Sequence, residues 1–271
     1  EVDGIPVMEL QYGPVATVRR MNLGWKRRKE KHIYGFNINT TTGFWCKDEQ
    51  APADDVTDDD FPNATIERIT PYAEDRRNVL LIRPCVELDP QVLTTLQYAL
   101  KRGIESLYQL EESELMAEPL PDRDNRKAIL FYEAAEGGAG VLTRLATRPD
   151  SLGNVAREAI EIMHYSVPDK GADSPDDLIP KNASCEMGCY KCLLSYYNQP
   201  DHETIDRTNR QVLEILLKLM TAQVSVGTSA GNRESQFNEL LTLVNSAQEK
   251  TWLRYLYKNG HLLPDSANAA I

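Results

Sequence analysis

The stretch Cys185-Glu-Met-Gly-Cys189-Tyr-Lys-Cys192 places three thiols within eight residues, and His202 follows ten positions after the last of them. A Cys-x2-Cys turn is short enough to aim both of its sulfurs at one point, which is what a soft metal ion requires. The alternative is three buried cysteines that act as small apolar residues, but clustering this tight is unusual in a core. The spacing therefore predicts bound Zn2+, with an iron–sulfur cluster as the less favoured metal centre.

A structural zinc site needs a fourth protein ligand. The candidates are the nearby His202, the weaker Asp201 and Asp206, and the distant Cys46 and Cys85. Spacing alone does not choose among them, and we take His202 as the expected ligand. Three protein ligands would instead leave an open position for a zinc-bound water. We favour the structural site, because no general base flanks the cysteines.

The composition is that of a soluble globular protein, with 271 residues, 41% hydrophobic and 26% charged. No apolar run approaches the roughly 18 residues that span a bilayer, so we expect no membrane association. Five cysteines without a disulfide framework indicate a reducing cytoplasm. The net charge of −11 argues against a sequence-independent nucleic-acid coat, although a local basic patch can still bind phosphates.

One basic concentration exists, between predicted strands at 15–18 and 33–38. The residues that could contact nucleic acid there are Arg19, Arg20, Trp25, Lys26, Arg27 and Arg28. Such a charge run is usually a solvated hairpin tip. The functional alternative is a clamp on a DNA or RNA backbone, with the tryptophan available for stacking.

The remaining pattern predicts a mixed α/β fold. Buried strands at 78–83 and 127–132 flank a helix that opens at Asp89-Pro90, and this order suggests a strand–helix–strand core with some parallel pairing. We expect three parts: a β-rich N-terminal subdomain (1–75), an α/β zinc-binding domain (76–222) and a helical extension (223–271). The chain opens without a methionine, so we expect a piece of a longer polypeptide.

A glycine-rich turn follows the second buried strand. It contains Glu133, Glu136, Gly137, Gly138 and Gly140. The turn lacks the Gly-Lys-Ser/Thr of a P-loop and the Gly-x-Gly-x-x-Gly of a dinucleotide fold, and its glutamates would repel phosphate. It is either a tight turn with close helix–strand packing or a turn that contacts a partner or a substrate.

Glu-Gly-Gly-Ala-Gly (136–140), followed roughly 45 residues later by the three cysteines and then by Asn198-Gln199, His202 and Asp206-Arg207, resembles the zinc-binding domain of MrfA-type superfamily 2 DNA helicases. The same domain occurs in helicase-associated anti-phage proteins of the DISARM type. The resemblance covers about residues 80 to 220. It implies that Cys185, Cys189 and Cys192 bind the metal and that the glycines form the family's turn.

One departure from the family concerns the fourth ligand. The repair helicases place a fourth cysteine soon after the third, and no cysteine follows Cys192. The resemblance therefore implies either that His202 substitutes for it or that the site is incomplete.

The resemblance implies a zinc-stabilised accessory domain of a DNA helicase, or of a helicase-associated defence or DNA-repair protein. Its partners would be DNA and an ATP-dependent motor, in the same chain or in another subunit. The chain contains no ATPase signature, so this piece should not hydrolyse ATP. The alternatives are a metal-dependent nuclease or hydrolase that uses Glu133 and Glu136, and a protein-interaction module that docks on a helicase.

Overall fold

A computed structural model describes residues 1–25, 27, 30, 32–46, 66–135, 138–225, 233–244, 246–258 and 263–264. Its contacts divide the chain into two units, Glu1–Gln223 and Val224–Ile271. The elements of the first unit are β1 (Met8–Met21), β2 (Phe36–Asn39), β3 (Trp45–Cys46), β4 (Ile66–Ile69), β5 (Tyr72–Pro84), α1 (Pro90–Tyr108), β6 (Leu115–Pro121), β7 (Arg126–Glu133), α2 (Val141–Thr147), α3 (Ser151–Ile162), β8 (Tyr165–Ser166), β9 (Ile179–Pro180) and α4 (Arg210–Thr221).

A four-stranded antiparallel sheet in the order β1-β5-β7-β6 forms the centre of this unit. Hydrophobic side chains of its middle strands, among them Leu80, Ile82 and Phe131, are fully buried. Helix α1 packs on β6 and β7 and also on α3 and α4. The mixed α/β fold is thus confirmed, with its core between the sheet and these helices.

The predicted parallel pairing is wrong. β5 and β7 run antiparallel, with Leu80 opposite Phe131, because the additional strand β6 lies between α1 and β7 in the chain. The sequence predicts a short segment and a polar connection over residues 111–126, whereas residues 115–121 form β6, which contains Pro119 and Pro121. β6 is at the edge of the sheet, where proline is tolerated.

β1 and β5 continue as a two-stranded ribbon beyond the reach of β7. Residues 16–21 pair with residues 72–77, whereas β7 pairs with β5 only from Val79 to Ile82. β1 belongs to the expected N-terminal subdomain, yet its pairing with β5 places both in one sheet. A bulge interrupts β1 between Gly13 and Ala16. There Val15 has a φ of +56° and donates its backbone N–H to Asn78 Oδ1 at 3.3 Å.

Particular residues explain where α1 begins and how closely it packs against α3. Asp89 accepts the backbone N–H of Gln91 at 2.8 Å and Pro90 occupies the first turn, which are typical signals of a helix start. α1 then crosses α3 closely at Gly103. A Cβ at this position would lie 2.6 Å from the Val155 carbonyl oxygen, so only glycine allows this approach.

The second unit contains α5 (Arg233–Leu243) and α6 (Ala247–Lys258). Leu240, Val244 and Leu253 form its small buried cluster, and the rings of Phe237 and Tyr257 stack at 4.2 Å. Across the described ranges of both units, every helix is too short or too polar to cross a bilayer.

Candidate metal centre

The three cysteines lie in the loop between β9 and a short 3-10 helix, Tyr196–Asp201. The Cys-x2-Cys turn is closed by its own backbone: Cys192 N–H donates to the Cys189 carbonyl oxygen at 2.9 Å. In the reverse direction, Cys189 N–H donates to Cys192 Sγ at 3.0 Å. The turn therefore points both sulfurs to the same side, as the spacing predicts.

The three sulfurs and one imidazole nitrogen form a compact donor set. Cys185, Cys189, Cys192 and His164 place their ligand atoms within 4.8 Å of one another. The Sγ–Sγ distances are 3.8 Å from Cys185 to Cys192 and 3.6 Å from Cys189 to Cys192. A tetrahedral zinc ion with Zn–S bonds of about 2.3 Å separates its sulfurs by about 3.8 Å. The donor types and spacing therefore fit Zn2+, the predicted cofactor.

His164, not His202, is the histidine that the structure places beside the cysteines. His164 Nε2 lies 3.2 Å from Cys189 Sγ. The residue follows α3 in the left-handed conformation, with a φ of +63°, and its carbonyl oxygen accepts the Lys181 N–H at 2.8 Å. β8 and β9 pair antiparallel just beyond. This small sheet brings the end of α3 against the cysteine loop.

His202 has other partners. Its Nε2 lies 3.0 Å from the Ser195 carbonyl oxygen and 2.9 Å from Asn198 Oδ1, and its ring meets that of Tyr190 edge-on at 5.7 Å. The expectation that His202 is the fourth donor is therefore corrected: His164 takes that place. The Ser195 carbonyl oxygen and Asn198 Oδ1 lie within hydrogen-bond distance of His202 Nε2 instead.

The other candidate ligands also lie apart from the donor set. Asp201 accepts from Arg126 at 2.9 Å and from the Tyr98 hydroxyl at 2.6 Å, which fixes the 3-10 helix to α1 and β7. Asp206 Oδ1 accepts the Thr208 N–H at 2.8 Å. Cys46 and Cys85 are free thiols outside the cluster.

Arg207, which sequence reasoning did not single out as a site residue, joins the segments that carry the donors. Its buried guanidinium donates to the carbonyl oxygens of Cys185 at 2.8 Å, Met163 at 3.1 Å and Asn182 at 3.1 Å. The same group lies over the ring of Tyr165, 5.2 Å from its centroid. One side chain therefore positions both the residue before His164 and the first cysteine. The sequence did contain a signal for this residue, because the Asp206-Arg207 pair is part of the resemblance described above.

The pKa values of the three cysteine thiols differ. Burial raises the pKa of Cys192 to about 12 and also raises the pKa of Cys185. Burial acts in the same direction on Cys189, but hydrogen bonds from His164, from the Lys191 backbone and from the other two thiols outweigh it and lower the pKa of Cys189 to about 6. Cys189 is therefore the thiol most ready to bind a cation as thiolate.

The Glu133 carboxylate stabilises the glycine turn through hydrogen bonds. Its carboxylate is buried. Oε1 accepts the Val141 N–H at 2.8 Å and Oε2 accepts from Asn78 Nδ2 at 3.0 Å. Gly138 and Gly140 both have positive φ, and a Cβ on Gly138 would lie 1.8 Å from Glu133 Oε2. Glu136 and Gly137 lie outside the described residues.

The basic residues that could contact nucleic acid are partly described. Arg19 donates through Nε to Glu74 at 2.9 Å, and its guanidinium lies over the ring of Tyr72. Arg20 donates to the Tyr132 hydroxyl. Trp25 and Arg27 are exposed, and the Trp25 ring meets Phe36 edge-on at 6.0 Å. Lys26 and Arg28 lie outside the described residues.

A protein family and a solved structure resemble parts of this chain. Residues 96–193 match the MrfA Zn-binding domain, a range that includes all four donors. The crystal structure of the DUF1998 helicase MrfA bound to DNA aligns with 10% identity and a TM-score of 0.39, over 78% of this chain and 26% of that chain. The chain thus corresponds to about a quarter of that helicase's length. Comparison with curated proteins gives no match. The resemblance noted in the sequence is confirmed by the match of residues 96–193 to the MrfA Zn-binding domain.

Proposed function

We propose that this chain is a zinc-stabilised accessory part of a superfamily 2 DNA helicase, or of a helicase-associated defence or repair protein, and that it helps the motor to engage DNA. The observation that carries the proposal is a Cys3His donor set inside a MrfA Zn-binding domain. The motor would belong to the same polypeptide or to a partner subunit.

The zinc would act structurally. Four protein donors fill a tetrahedron and leave no position for a reactive water. The donors come from two segments, the end of α3 and the 185–192 loop, that Arg207 also joins. A metal bound there would fix the loop that leads into the 3-10 helix and α4.

A nuclease based on Glu133 gains no support from this geometry. Both carboxylate oxygens already accept hydrogen bonds from Asn78 and Val141, and the side chain is buried. A hydrolytic carboxylate must instead reach a metal or a water at the reacting centre. The arrangement is that of a residue which holds the glycine turn.

The β-ribbon provides the surface for DNA in this proposal. We call residues 16–21 and 72–77 the basic ribbon. They carry four arginines and two carboxylates, a net charge of +2 in a chain of net charge −11. A two-stranded ribbon fits a DNA groove, and arginines neutralise phosphates. Trp25 and Arg27 follow the ribbon in the chain and extend its exposed surface.

Arginine substitutions test this surface. In Arg19→Ala/Arg76→Ala, we expect affinity for a labelled forked DNA to fall roughly tenfold and the slope of log K against log salt to flatten by about 2, since each lost phosphate contact removes about 0.9 from the slope. Fluorescence anisotropy over a salt series measures both quantities.

Arg83→Ala is the matched control. Arg83 is as exposed as Arg19, at 55%, and also faces a glutamate, but it lies outside the ribbon. An equal loss in the control, or unchanged binding in the double variant, would contradict the assignment of DNA contact to the ribbon.

A further inference from the structure

We propose that the zinc loop presents a stacking surface for unpaired nucleobases, formed by Tyr190, Tyr196 and Tyr197, which we call the tyrosine surface. The inference deepens the proposed function and rests on it, because a helicase accessory domain meets separated strands. It assigns a single-stranded nucleic acid, rather than a duplex, to a face distinct from the basic ribbon.

The three rings are largely exposed to solvent. Their exposed fractions are 65%, 75% and 63% for Tyr190, Tyr196 and Tyr197. Large aromatic side chains normally bury most of their area, and a group of exposed ones marks an interaction site. Here the three tyrosines lie in one stretch of eight residues, 190–197, which begins inside the cysteine loop.

Local contacts connect the segments that carry the rings. Tyr190 meets the imidazole of His202 edge-on, and His202 Nε2 in turn lies 3.0 Å from the Ser195 carbonyl oxygen. The adjacent Tyr196 and Tyr197 rings meet edge-on at 5.9 Å. His202 thus links Tyr190 in the cysteine turn to Ser195, the residue that precedes the Tyr196–Tyr197 pair.

The backbone beneath these rings is fixed. Ser195 Oγ accepts the Tyr197 N–H at 3.2 Å, and Ser195 N–H donates to Asn198 Oδ1 at 2.8 Å. Asn198 is buried and donates to the Leu193 carbonyl oxygen at 2.7 Å, one residue after Cys192. The backbone that carries Tyr196 and Tyr197 is thus fixed to the cysteine loop, which lowers the conformational entropy lost on binding.

The segment that carries the rings contains no acidic side chain. From Met187 to Pro200 the only charged side chain is Lys191, although the chain as a whole is strongly acidic. Tyr197 also lines a cleft of about 250 Å³, to which Lys101, Arg102 and Arg123 contribute cations and Glu112 and Glu118 contribute carboxylates. Among the described residues, no carboxylate forms an ion pair with Arg123, so its guanidinium is available to a phosphate.

These features favour single strands over duplex DNA. Every base offers a π-face, so stacking on aromatic rings needs no particular sequence, whereas the bases of a duplex already stack on one another. Lys191, next to Tyr190 in the chain, and Arg123, in the cleft with Tyr197, would add phosphate attraction to stacking.

Alanine and phenylalanine substitutions test the proposal on the full chain. In Tyr196→Ala/Tyr197→Ala, we expect affinity for a fluorescent oligothymidine to fall roughly tenfold or more, with an unchanged salt slope because no charge is removed. Tyr196→Phe/Tyr197→Phe keeps both rings and should retain the affinity. Tyr255→Ala removes a ring of 59% exposure in the other unit and should have no effect. Zinc content equal to that of the wild type shows that the loop has folded.

A photocrosslink provides a second readout. Irradiated 4-thiothymidine strands should attach to the peptide that contains residues 190–197, as detected by mass spectrometry. Unchanged oligothymidine affinity in the alanine variant would overturn the inference and leave the tyrosines as a protein-contacting face. If the arginine variants alone weaken DNA binding, the proposed function stands and this inference fails. If the wild-type chain binds neither form of DNA, both fail.

Discussion

At the residue scale, the fourth donor of the metal centre depends on a backbone conformation. His164 lies two residues after the end of α3 and has a φ of +63°, in a region that histidine enters more readily than most residues other than glycine, asparagine and aspartate. This turn directs the imidazole towards Cys189 instead of along the helix axis. The residue thus links a helix end to a loop that starts about 20 positions later.

Substitution of the two histidines separates their roles. We expect His164→Ala to weaken zinc affinity by more than about 100-fold, since loss of even an outer partner of a ligand costs 10–100-fold. His202→Ala should keep the affinity within a few fold, because its Nε2 contacts Ser195 and Asn198. Competition with a chromophoric chelator measures both. The reverse ranking would return His202 to the donor set.

The sequence predicts the cysteines but not the histidine, for a physical reason. The Cys-x2-Cys turn is local, so its spacing alone makes the sulfurs converge. His164 reaches them only through the pairing of β8 with β9 and the contacts of Arg207, which depend on the whole fold. His202 is close in sequence, but Asn198 and Ser195 compete for its nitrogen.

At the scale of elements, the glycine turn joins β7 to α2 by way of the Glu133 carboxylate. Backbone strain at a positive φ alone costs about 1–3 kcal/mol. Gly138→Ala should lower the free energy of unfolding by more than this, since the added Cβ would overlap Glu133 Oε2. Gly140→Ala is the matched control: it shares the positive φ but has no atom within 4 Å of the added Cβ. Urea denaturation measures the difference, and equal losses would contradict a close approach to Glu133.

Elements with strong local signals were predictable, and those set by tertiary context were not. The helix start at Asp89-Pro90 and the buried strands at 78–83 and 127–132 appear in α1, β5 and β7. β6 was missed because prolines mask an edge strand. Without β6, the direction of β7 could not be inferred, so the expected parallel pairing followed from an incomplete set of elements.

At the scale of the whole molecule, all four donors belong to the first unit. Chelation of zinc should therefore raise amide hydrogen exchange in residues 163–166 and 179–195, by roughly tenfold or more, because metal binding contributes directly to local folding. Residues 233–258 contain no donor and should exchange as before. Mass spectrometry of the chelated and zinc-loaded chain makes the comparison. A uniform rise across both regions would contradict a local role for the metal.

The bulge in β1 has a consequence for the protein in a crowded cell. β1 is an edge of the central sheet, and a long unpaired edge is a template on which another chain can add a strand and start aggregation. Pro14 has no N–H to offer there, and Val15 turns its own N–H inward to Asn78. The outer rim of the sheet is thus interrupted near its middle, which protects the folded protein against edge-to-edge polymerisation.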